Sequence, residues 1–328
     1  MKRDTVFFRQ AELLLRVLPV VNEEEIFALK GGTAINFFLR DLPRLSVDID
    51  LTYLPVNDRT TALTEINKAL LRISERVEKT IPGVRLFSKR DREFNLVAGL
   101  HIRRGDATTK IEPNSVLRGS VFPTETRALC QKAQDLFELS IEARTLSFED
   151  LYGGKACAAL DRQHPRDLFD IDLLFKNEGL TEKVRKAFIV YLVSHSRPMV
   201  EILNPQWGDL RPVFEREFQG MVVESVTAEG LRIAGEQLVS RLHEEMTQEE
   251  RQFIISIKEG KPQWDLLGVP GIENLPAVKW KLQNIRRMAP MKHRKALQKL
   301  RDYLGCIAVC SMSPVQPHDK WRNIRKLF

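Results

Sequence analysis

The strongest chemical signal in this sequence lies between residues 30 and 50. A glycine-rich turn comes first and consists of Lys30, Gly31, Gly32 and Thr33. Asp48 and Asp50 follow it, and the alternation of side chains along a strand would put both carboxylates on one face. Because glycine lets backbone N–H groups approach phosphate oxygens closely, the turn could cradle a phosphate. A phosphate cradle beside paired carboxylates indicates phosphoryl or nucleotidyl transfer.

Metal binding is the natural use of the carboxylate pair. Asp48 and Asp50 would offer oxygen ligands to Mg²⁺ or Mn²⁺, which would neutralise a nucleoside triphosphate (NTP). Such a site normally has a third acid on a neighbouring strand, and Glu112 ends an apolar strand within a probable hairpin. We therefore predict Glu112 as the third metal ligand. The alternative is that Asp48 and Asp50 are solvated acids on an exposed strand edge.

Two residues of the glycine-rich turn have alternative roles. Lys30 could contact a triphosphate or simply flank the strand. Thr33 could cap the following helix or bind phosphate through its hydroxyl. The turn is not a Walker A loop, because no Gly-Lys-Ser/Thr sequence stands at its far end.

A second group of charged residues lies between 150 and 172. Lys155 and Arg162 are seven residues apart and would share one face of a helix. One interpretation of this group is a salt-bridge cluster between helices, in which Arg162 and Arg166 hold Asp167 and Asp170. Alternatively, Lys155 could reach the triphosphate while Asp167 orients it or acts as a base. We expect both interpretations to apply, with Lys155 and Asp167 among the catalytic residues.

The pattern of apolar residues predicts an α+β fold. Strands are expected at 26–30, 45–54, 84–87, 94–103 and 108–112, and helices at 5–18, 60–79, 125–136, 148–161 and 166–176. Beyond residue 178 the pattern is mostly helical, including 228–244, 247–258 and 276–303. We predict a catalytic domain at 1–178 with a small mixed sheet flanked by helices. A mainly α-helical domain at 179–328 follows, and it ends in a basic segment.

Charge is distributed unevenly along the chain. From Lys279 to Phe328 there are thirteen Lys and Arg against two acids, a net charge of +11. Since the whole chain carries +7, residues 1–278 sum to about −4. A basic, tryptophan-bearing segment on a mildly acidic protein indicates a polyanion partner such as RNA. The alternative is a solvated helical face with Trp280 in the core.

Location and redox state follow from the same composition. The first helix is amphipathic, with charged residues inside its apolar pattern, and no apolar run approaches the ~20 residues needed to cross a bilayer. We therefore expect a cytoplasmic protein with no membrane partner. The four cysteines include no Cys-x-x-Cys pair and are expected to be reduced thiols.

Both charged motifs resemble those of one known family. The stretches Lys30–Thr33 and Ser46–Leu51 look like the first motif of AbiEii-type nucleotidyltransferases, within the DNA polymerase β-like superfamily. Lys155–Asp170 resembles the Lys-x-x-Ala-x-x-x-Arg … Pro-Arg-Asp-x-x-Asp motif of that family. Thr33 replaces a serine that is common in the superfamily, and Glu112 replaces an aspartate.

The resemblance implies a polymerase β-like core and a toxin of a toxin–antitoxin or phage-defence pair. Such a toxin would transfer a nucleotide from an NTP to an acceptor, most simply tRNA, release pyrophosphate and block translation. Mg²⁺ would be held by Asp48 and Asp50, and Lys155 and Asp167 would complete the active site. A cognate antitoxin would be a further partner. The alternatives are a small-molecule nucleotidyltransferase of the antibiotic-modifying type and a non-catalytic nucleic-acid-binding protein on the same fold.

Overall fold

The computed structural model describes residues 5–222 and 224–305. The predicted basic segment is therefore described only from Lys279 to Gly305. Cys306, Cys310 and Trp321 lie outside the described residues. Cys130 and Cys157 are free thiols, as the sequence predicts.

A seven-stranded mixed sheet forms the centre of the N-terminal part, in the order β3-β4-β5-β2-β1-β7-β6. The strands are β1 Phe27–Lys30, β2 Asp48–Tyr53, β3 Arg85–Arg90, β4 Val97–Arg104, β5 Ala107–Asn114, β6 Glu125–Ala128 and β7 Glu142–Thr145. β2 pairs in parallel with β5, and β1 with β7, while the other neighbours are antiparallel. The predicted α+β class with a mixed sheet is confirmed.

Helices surround this sheet on both faces. They are α1 Val6–Asn22, α2 Gly31–Thr33 continuing as a π-helical turn over Ala34–Leu39, α3 Arg59–Thr80, α4 Gln131–Phe137, α5 Phe148–Arg162 and α6 Pro165–Asn177. α1 and α3 pack on strands β5 and β4. They cover the sheet face that carries the buried side chains of Ile49, Leu100 and Ile111. Asp48 and Asp50 therefore belong to the opposite face, because side chains alternate along β2.

The C-terminal part is helical, as predicted. It contains α7 Glu182–Ser194, α8 Met199–Leu203, α9 Arg211–Glu217, α10 Ala228–Glu245, α11 Gln248–Glu259, α12 Pro276–Arg286 and α13 Pro290–Leu304, with 3₁₀ turns at Trp264–Leu266 and Ile272–Asn274. No helix within 5–222 and 224–305 is long and apolar enough to cross a membrane.

The helical part packs directly on the helices that carry the second charged motif. α7 crosses α5 at Gly153, where an added Cβ would lie 2.6 Å from the Cβ of Ala187. α10 packs on α6. Buried apolar side chains from Phe8 to Leu304 form one continuous cluster. The division into domains at residue 178 stays a prediction.

The helix predicted at 125–136 is partly wrong. Residues Glu125–Ala128 form strand β6, and only Gln131–Phe137 is helical. β6 pairs with β7, a strand that the sequence did not predict, with Glu125 opposite Thr145. Both strands are four residues long and β6 buries no side chain, so the pairing of β6 with β7 and not a local pattern decides the conformation of β6.

The single helix predicted at 276–303 is two helices. α12 ends at Arg286 and α13 begins at Pro290. Ala289 has extended backbone angles, φ −58° and ψ 136°. A residue that precedes proline avoids the helical region, so the break has a local cause that was legible in the sequence.

Candidate active site

The glycine-rich turn connects β1 to α2 and lies against the acid pair. Gly31 has a φ of +71°, in the region that favours glycine. A Cβ at Gly31 would lie 2.5 Å from Oδ2 of Asp50, which is too close for any side chain. The turn therefore needs glycine at position 31 for its backbone angle and for the approach of the carboxylate.

Thr33 anchors the start of α2 to strand β2. Its side chain is fully buried, and its hydroxyl lies 2.6 Å from the backbone oxygen of Asp48 and 2.9 Å from Oγ of Ser46. Neither of the two predicted roles of this hydroxyl, a helix cap or a phosphate ligand, matches these contacts. The hydroxyl instead fixes the distance between the turn and the acid-bearing strand. Ser46, which the sequence interpretation missed, lines the neighbouring cavity.

The two aspartates line a cavity of 480 Å³ between the sheet and α5. Ile49 between them is buried on the other face, as strand alternation predicts. Burial, and then the adjacent Asp50, raise the pKa of Asp48, while Lys110 and Arg166 oppose the increase. Two carboxylates held together in this way suit a divalent cation, which would relieve their repulsion.

Glu112 lies beside the acid pair but has a partner of its own. It is the direct neighbour of Asp50 in the parallel pairing of β2 with β5, and it lines the same cavity. Its Oε1 accepts a hydrogen bond from Nζ of Lys89 at 3.0 Å. Among the residues that the structure describes, no group of three or more His, Cys, Asp and Glu side chains is arranged to hold a metal ion. Glu112 as third ligand stays a prediction.

Lys155 is buried against two carboxylates of α6. Its Nζ lies 2.8 Å from Oδ1 of Asp167 and 3.0 Å from Oδ2 of Asp170. Arg162 donates to the other oxygen of Asp167 at 2.5 Å. Burial alone would raise the pKa of Asp167, but Lys155 and Arg162 outweigh it and hold that pKa well below its usual range. The predicted salt-bridge cluster exists, with Arg162 in its expected place.

The predicted contact between Arg166 and Asp170 is wrong. Asp170 is bound by Arg44, with Nη2 to Oδ2 at 2.7 Å, and not by Arg166. Arg166 instead faces the acid pair, with Nη1 3.9 Å from Oδ2 of Asp48. The side chain of Arg44 lies under the glycine-rich turn, since a Cβ at Gly32 would be 2.7 Å from its Nη2. Nothing in the local sequence around Arg44 signals this position.

Lys30 completes the cationic side of the cavity. Lys30 of β1 lies opposite Asp50 of β2 in the strand register, and it lines the cavity wall. Burial lowers its pKa, Asp50 opposes that change, and Arg162 and Lys155 add to it. The cavity thus gathers cations beside the two carboxylates.

Helix α7 supplies a further wall that the sequence interpretation missed. Tyr191 and His195 line the cavity together with Asp161 of α5. Tyr191 donates its hydroxyl to Asp150 at 2.8 Å, and a Cβ at Gly154 would lie 3.3 Å from its ring. His195 lies 3.4 Å from Asp161. This wall offers an aromatic ring and polar atoms to the same cavity.

Comparison with known protein families identifies the fold and the chemistry. The profile described as "Nucleotidyl transferase AbiEii toxin, Type IV TA system" matches residues 12–284. The match spans most of the chain and includes both charged motifs. The chain belongs to the AbiEii family. AbiEii proteins are nucleotidyltransferase toxins of toxin–antitoxin systems, so the predicted enzyme class and toxin identity are confirmed.

A solved structure supports the same fold for this AbiEii protein. MenT4, a nucleotidyltransferase toxin from Mycobacterium tuberculosis H37Rv, superimposes with a TM-score of 0.57 and 13% identity. The likeness covers 90% of this chain and 93% of MenT4. At this identity it establishes the fold alone. No curated protein sequence matches the chain.

Proposed function

We propose that this AbiEii protein is a Mg²⁺-dependent toxin that transfers a nucleotide from an NTP to RNA. tRNA is the first candidate acceptor, and its modification would block translation. The observation that carries the proposal is one cavity in which Asp48 and Asp50 face Lys30 and Arg166 beside the Gly31 turn. Carboxylates for a metal and cations for a triphosphate are both needed for nucleotidyl transfer.

Asp48 and Asp50 would hold the metal ion. Mg²⁺ is commonly bound by one or two carboxylates together with substrate phosphates and water, so this pair is a sufficient donor set. When bound, the ion would neutralise charge on the triphosphate and favour deprotonation of the acceptor hydroxyl. Glu112 could join as a ligand if it exchanged Lys89 for the metal.

The cations and the turn would bind the triphosphate. Lys30 and Arg166 are close to the acid pair, and the backbone at Gly31 and Gly32 is accessible from the cavity. The acceptor hydroxyl would attack the α-phosphorus in line, and pyrophosphate would leave. Positioning and charge neutralisation supply most of the rate enhancement in such reactions.

Lys155 and Asp167 would act through electrostatics and position. Asp167 is paired with two cations and its pKa is lowered, which makes it a poor general base. We therefore favour its orienting role over its role as a base. Lys155 uses two contacts on carboxylates, which leaves one ammonium proton available for a phosphate oxygen.

The basic surface of α12 and α13 is a candidate contact for the RNA. Trp280 is 45% exposed, so the alternative that put it in the core is wrong. Arg286, Arg294 and Lys295 are exposed on the same two helices, and Arg287 is exposed in the turn between them. Exposed cations with an aromatic ring suit a polyanion better than a small molecule. This surface therefore favours an RNA acceptor over an antibiotic-type substrate.

The cellular setting follows from the proposed substrates. NTP and tRNA are both cytoplasmic, so we place the protein there. Membership of a toxin–antitoxin family implies a cognate antitoxin. Whether that antitoxin binds this chain directly is a separate question, which copurification of the coexpressed pair would answer.

A labelling experiment tests the proposed function. Purified protein is incubated with each α-³²P-labelled NTP, Mg²⁺ and total RNA, and RNA, protein and small-molecule products are separated. We expect label in RNA, most of it in the tRNA fraction. Asp48→Asn and Asp50→Asn should abolish labelling, whereas Asp172→Asn, an acid of α6 that pairs with Lys176, should not. Label confined to small molecules, or full activity of both variants, would refute the proposal.

A further inference from the structure

The face of the sheet that carries Asp48 continues outward as an exposed surface. In the register of the sheet, Asp48 lies opposite Lys110 of β5. Lys110 lies opposite His101 of β4, and His101 lies opposite Phe87 of β3. Residues directly opposite each other on neighbouring strands point to the same side of a sheet. The row therefore runs from the acid pair to the edge strand over three strand spacings, about 14 Å in all.

Three exposed side chains on this face, Arg85, Lys89 and Arg103, are basic, while His101, Thr108, Lys110 and Glu112 are half-buried on the same face. Arg103 of β4 pairs with Arg85 of β3, and Lys89 lies two residues from Phe87 on the same strand. We call this surface the open sheet face; it consists of Arg85, Phe87, Lys89, His101, Arg103 and Lys110. The apolar side of these strands is covered by α1 and α3. The open sheet face thus combines cations with the phenyl ring of Phe87, which is 56% exposed.

Edge protection alone does not explain this composition. Lys and Arg on an edge strand deter pairing with other chains, and Arg85 and Lys89 serve that purpose. An exposed phenyl ring on the same strand has the opposite effect, because it adds apolar surface at the edge. A single exposed ring is ordinary by itself, but the place of Phe87 at the end of a row that begins at Asp48 gives it a use.

The geometry points to the open sheet face as the binding surface for the unpaired end of an RNA acceptor. The inference rests on the proposed function and specifies how the acceptor reaches the site. A single strand would place its phosphates on Lys110, Arg103 and Arg85, stack a base on Phe87, and direct its terminal hydroxyl to the acid pair. Bases within a duplex are not free to stack on a side chain, so an unpaired end is required.

This surface is continuous with the cavity. Lys110 belongs to the open sheet face and also lines the cavity, as does Glu112, two residues further along β5. The ion pair between Lys89 and Glu112 joins the edge strand to the cavity rim. The acceptor would therefore enter from the β5 side, while the NTP occupies the side formed by the Gly31 turn and α5.

The test compares two adjacent arginines of β4. Arg103→Glu reverses a charge on the open sheet face. Arg104→Glu makes the same change on the next residue, which is also exposed and which points to the other side of the strand. Phe87→Ala removes the stacking ring, and circular dichroism and thermal unfolding confirm that all three variants fold. RNA binding is measured by fluorescence anisotropy with a single-stranded oligonucleotide at several salt concentrations.

We expect Phe87→Ala to weaken binding of the single strand at least about fivefold, since one stacked base contributes that much or more. Arg103→Glu should weaken it and reduce its salt dependence. Arg104→Glu should match the wild type, and the KM for NTP should be unchanged in Phe87→Ala and Arg103→Glu. Equal RNA affinity of Phe87→Ala, Arg103→Glu and Arg104→Glu would overturn the inference.

The two proposals fail in different ways. If wild-type protein labels RNA but the three variants bind RNA equally, the acceptor surface is wrong and the proposed function stands. If wild-type protein labels no RNA while Phe87→Ala and Arg103→Glu still lose RNA binding selectively, the surface stands and the reaction is wrong. Label in a protein acceptor, with no RNA binding, would overturn both.

Discussion

Gly31 and Asp50 are in contact at the centre of the candidate site, with the position of a Cβ on Gly31 only 2.5 Å from Oδ2 of Asp50. The glycine is thus part of the acid site as well as of the phosphate turn. Its φ of +71° orients the backbone at the start of α2, and its missing side chain admits the carboxylate. Glycine at position 31 therefore serves both the phosphate-binding turn and the placement of the metal-binding carboxylate of Asp50.

Gly31→Ala should lower the rate of nucleotide transfer about 100-fold. The added methyl group would displace Asp50, and a displacement of about 1 Å at reacting groups lowers rates by about 100-fold. Gly83→Ala is the matched control, because Gly83 has a similar φ of +78° but nothing within 4 Å of an added Cβ. Transfer to RNA and urea unfolding are measured for both. Equal transfer rates would show that the contact with Asp50 is unimportant.

Asp170→Asn should destabilise the protein strongly. Asp170 is fully buried and binds both Arg44 and Lys155, so the substitution leaves the guanidinium of Arg44 without its anionic partner. Breaking a buried pair from one side costs about 3–5 kcal/mol. Asp172→Asn, two residues away in a half-exposed pair with Lys176, should change the free energy of unfolding by no more than about 0.5 kcal/mol. Comparable losses in the two variants would contradict the importance of the network.

Acid should destabilise the fold through the same network. Lys155 and Arg162 outweigh the effect of burial on Asp167, and Arg44 and Lys155 outweigh it on Asp170, so both folded pKa values are lowered. The unfolded chain, with an aspartate pKa of about 3.9, then binds more protons than the folded one as the pH falls. The stability that these groups contribute is present above that value and is lost as the pH falls through the folded pKa.

Urea unfolding between pH 7 and pH 3 measures this dependence. The free energy of unfolding of the wild type should fall steeply below about pH 4. Asp167→Asn should be less stable at pH 7 and should show a shallower fall. Parallel curves for the wild type and Asp167→Asn would mean that the pKa of Asp167 does not change on folding.

Neutralising the basic surface of α12 and α13 should weaken RNA binding. Replacing Arg286, Arg287, Arg294 and Lys295 by Ala should lower affinity and reduce the salt dependence by about 0.7 for each lost phosphate contact with a single strand. The control removes four exposed lysines elsewhere, at positions 68, 79, 183 and 261. Equal effects of the two sets would indicate a general charge effect, and no effect of either would remove this surface from RNA binding.

Local patterns in the sequence determined the features that depend on neighbouring residues. Asp48 and Asp50 share a strand face because strand periodicity is a property of the backbone. The turn at Gly105 and Asp106 produced the expected hairpin, with Arg104 opposite Ala107. The break before Pro290 was equally local, although the prediction overlooked it. The family motifs also lie in short segments, and so they were recognisable without a structure.

Only the tertiary structure decided which charges meet. Arg44 and Asp170 are separated by 126 positions, and neither lies in a pattern that points to the other. Lys89 reaches Glu112 only because β3, β4 and β5 are adjacent in the sheet. β6 is a strand because β7 pairs with it, against a local helical pattern. Long-range ion pairs and strand pairing depend on where the chain folds back, which sequence periodicity does not encode.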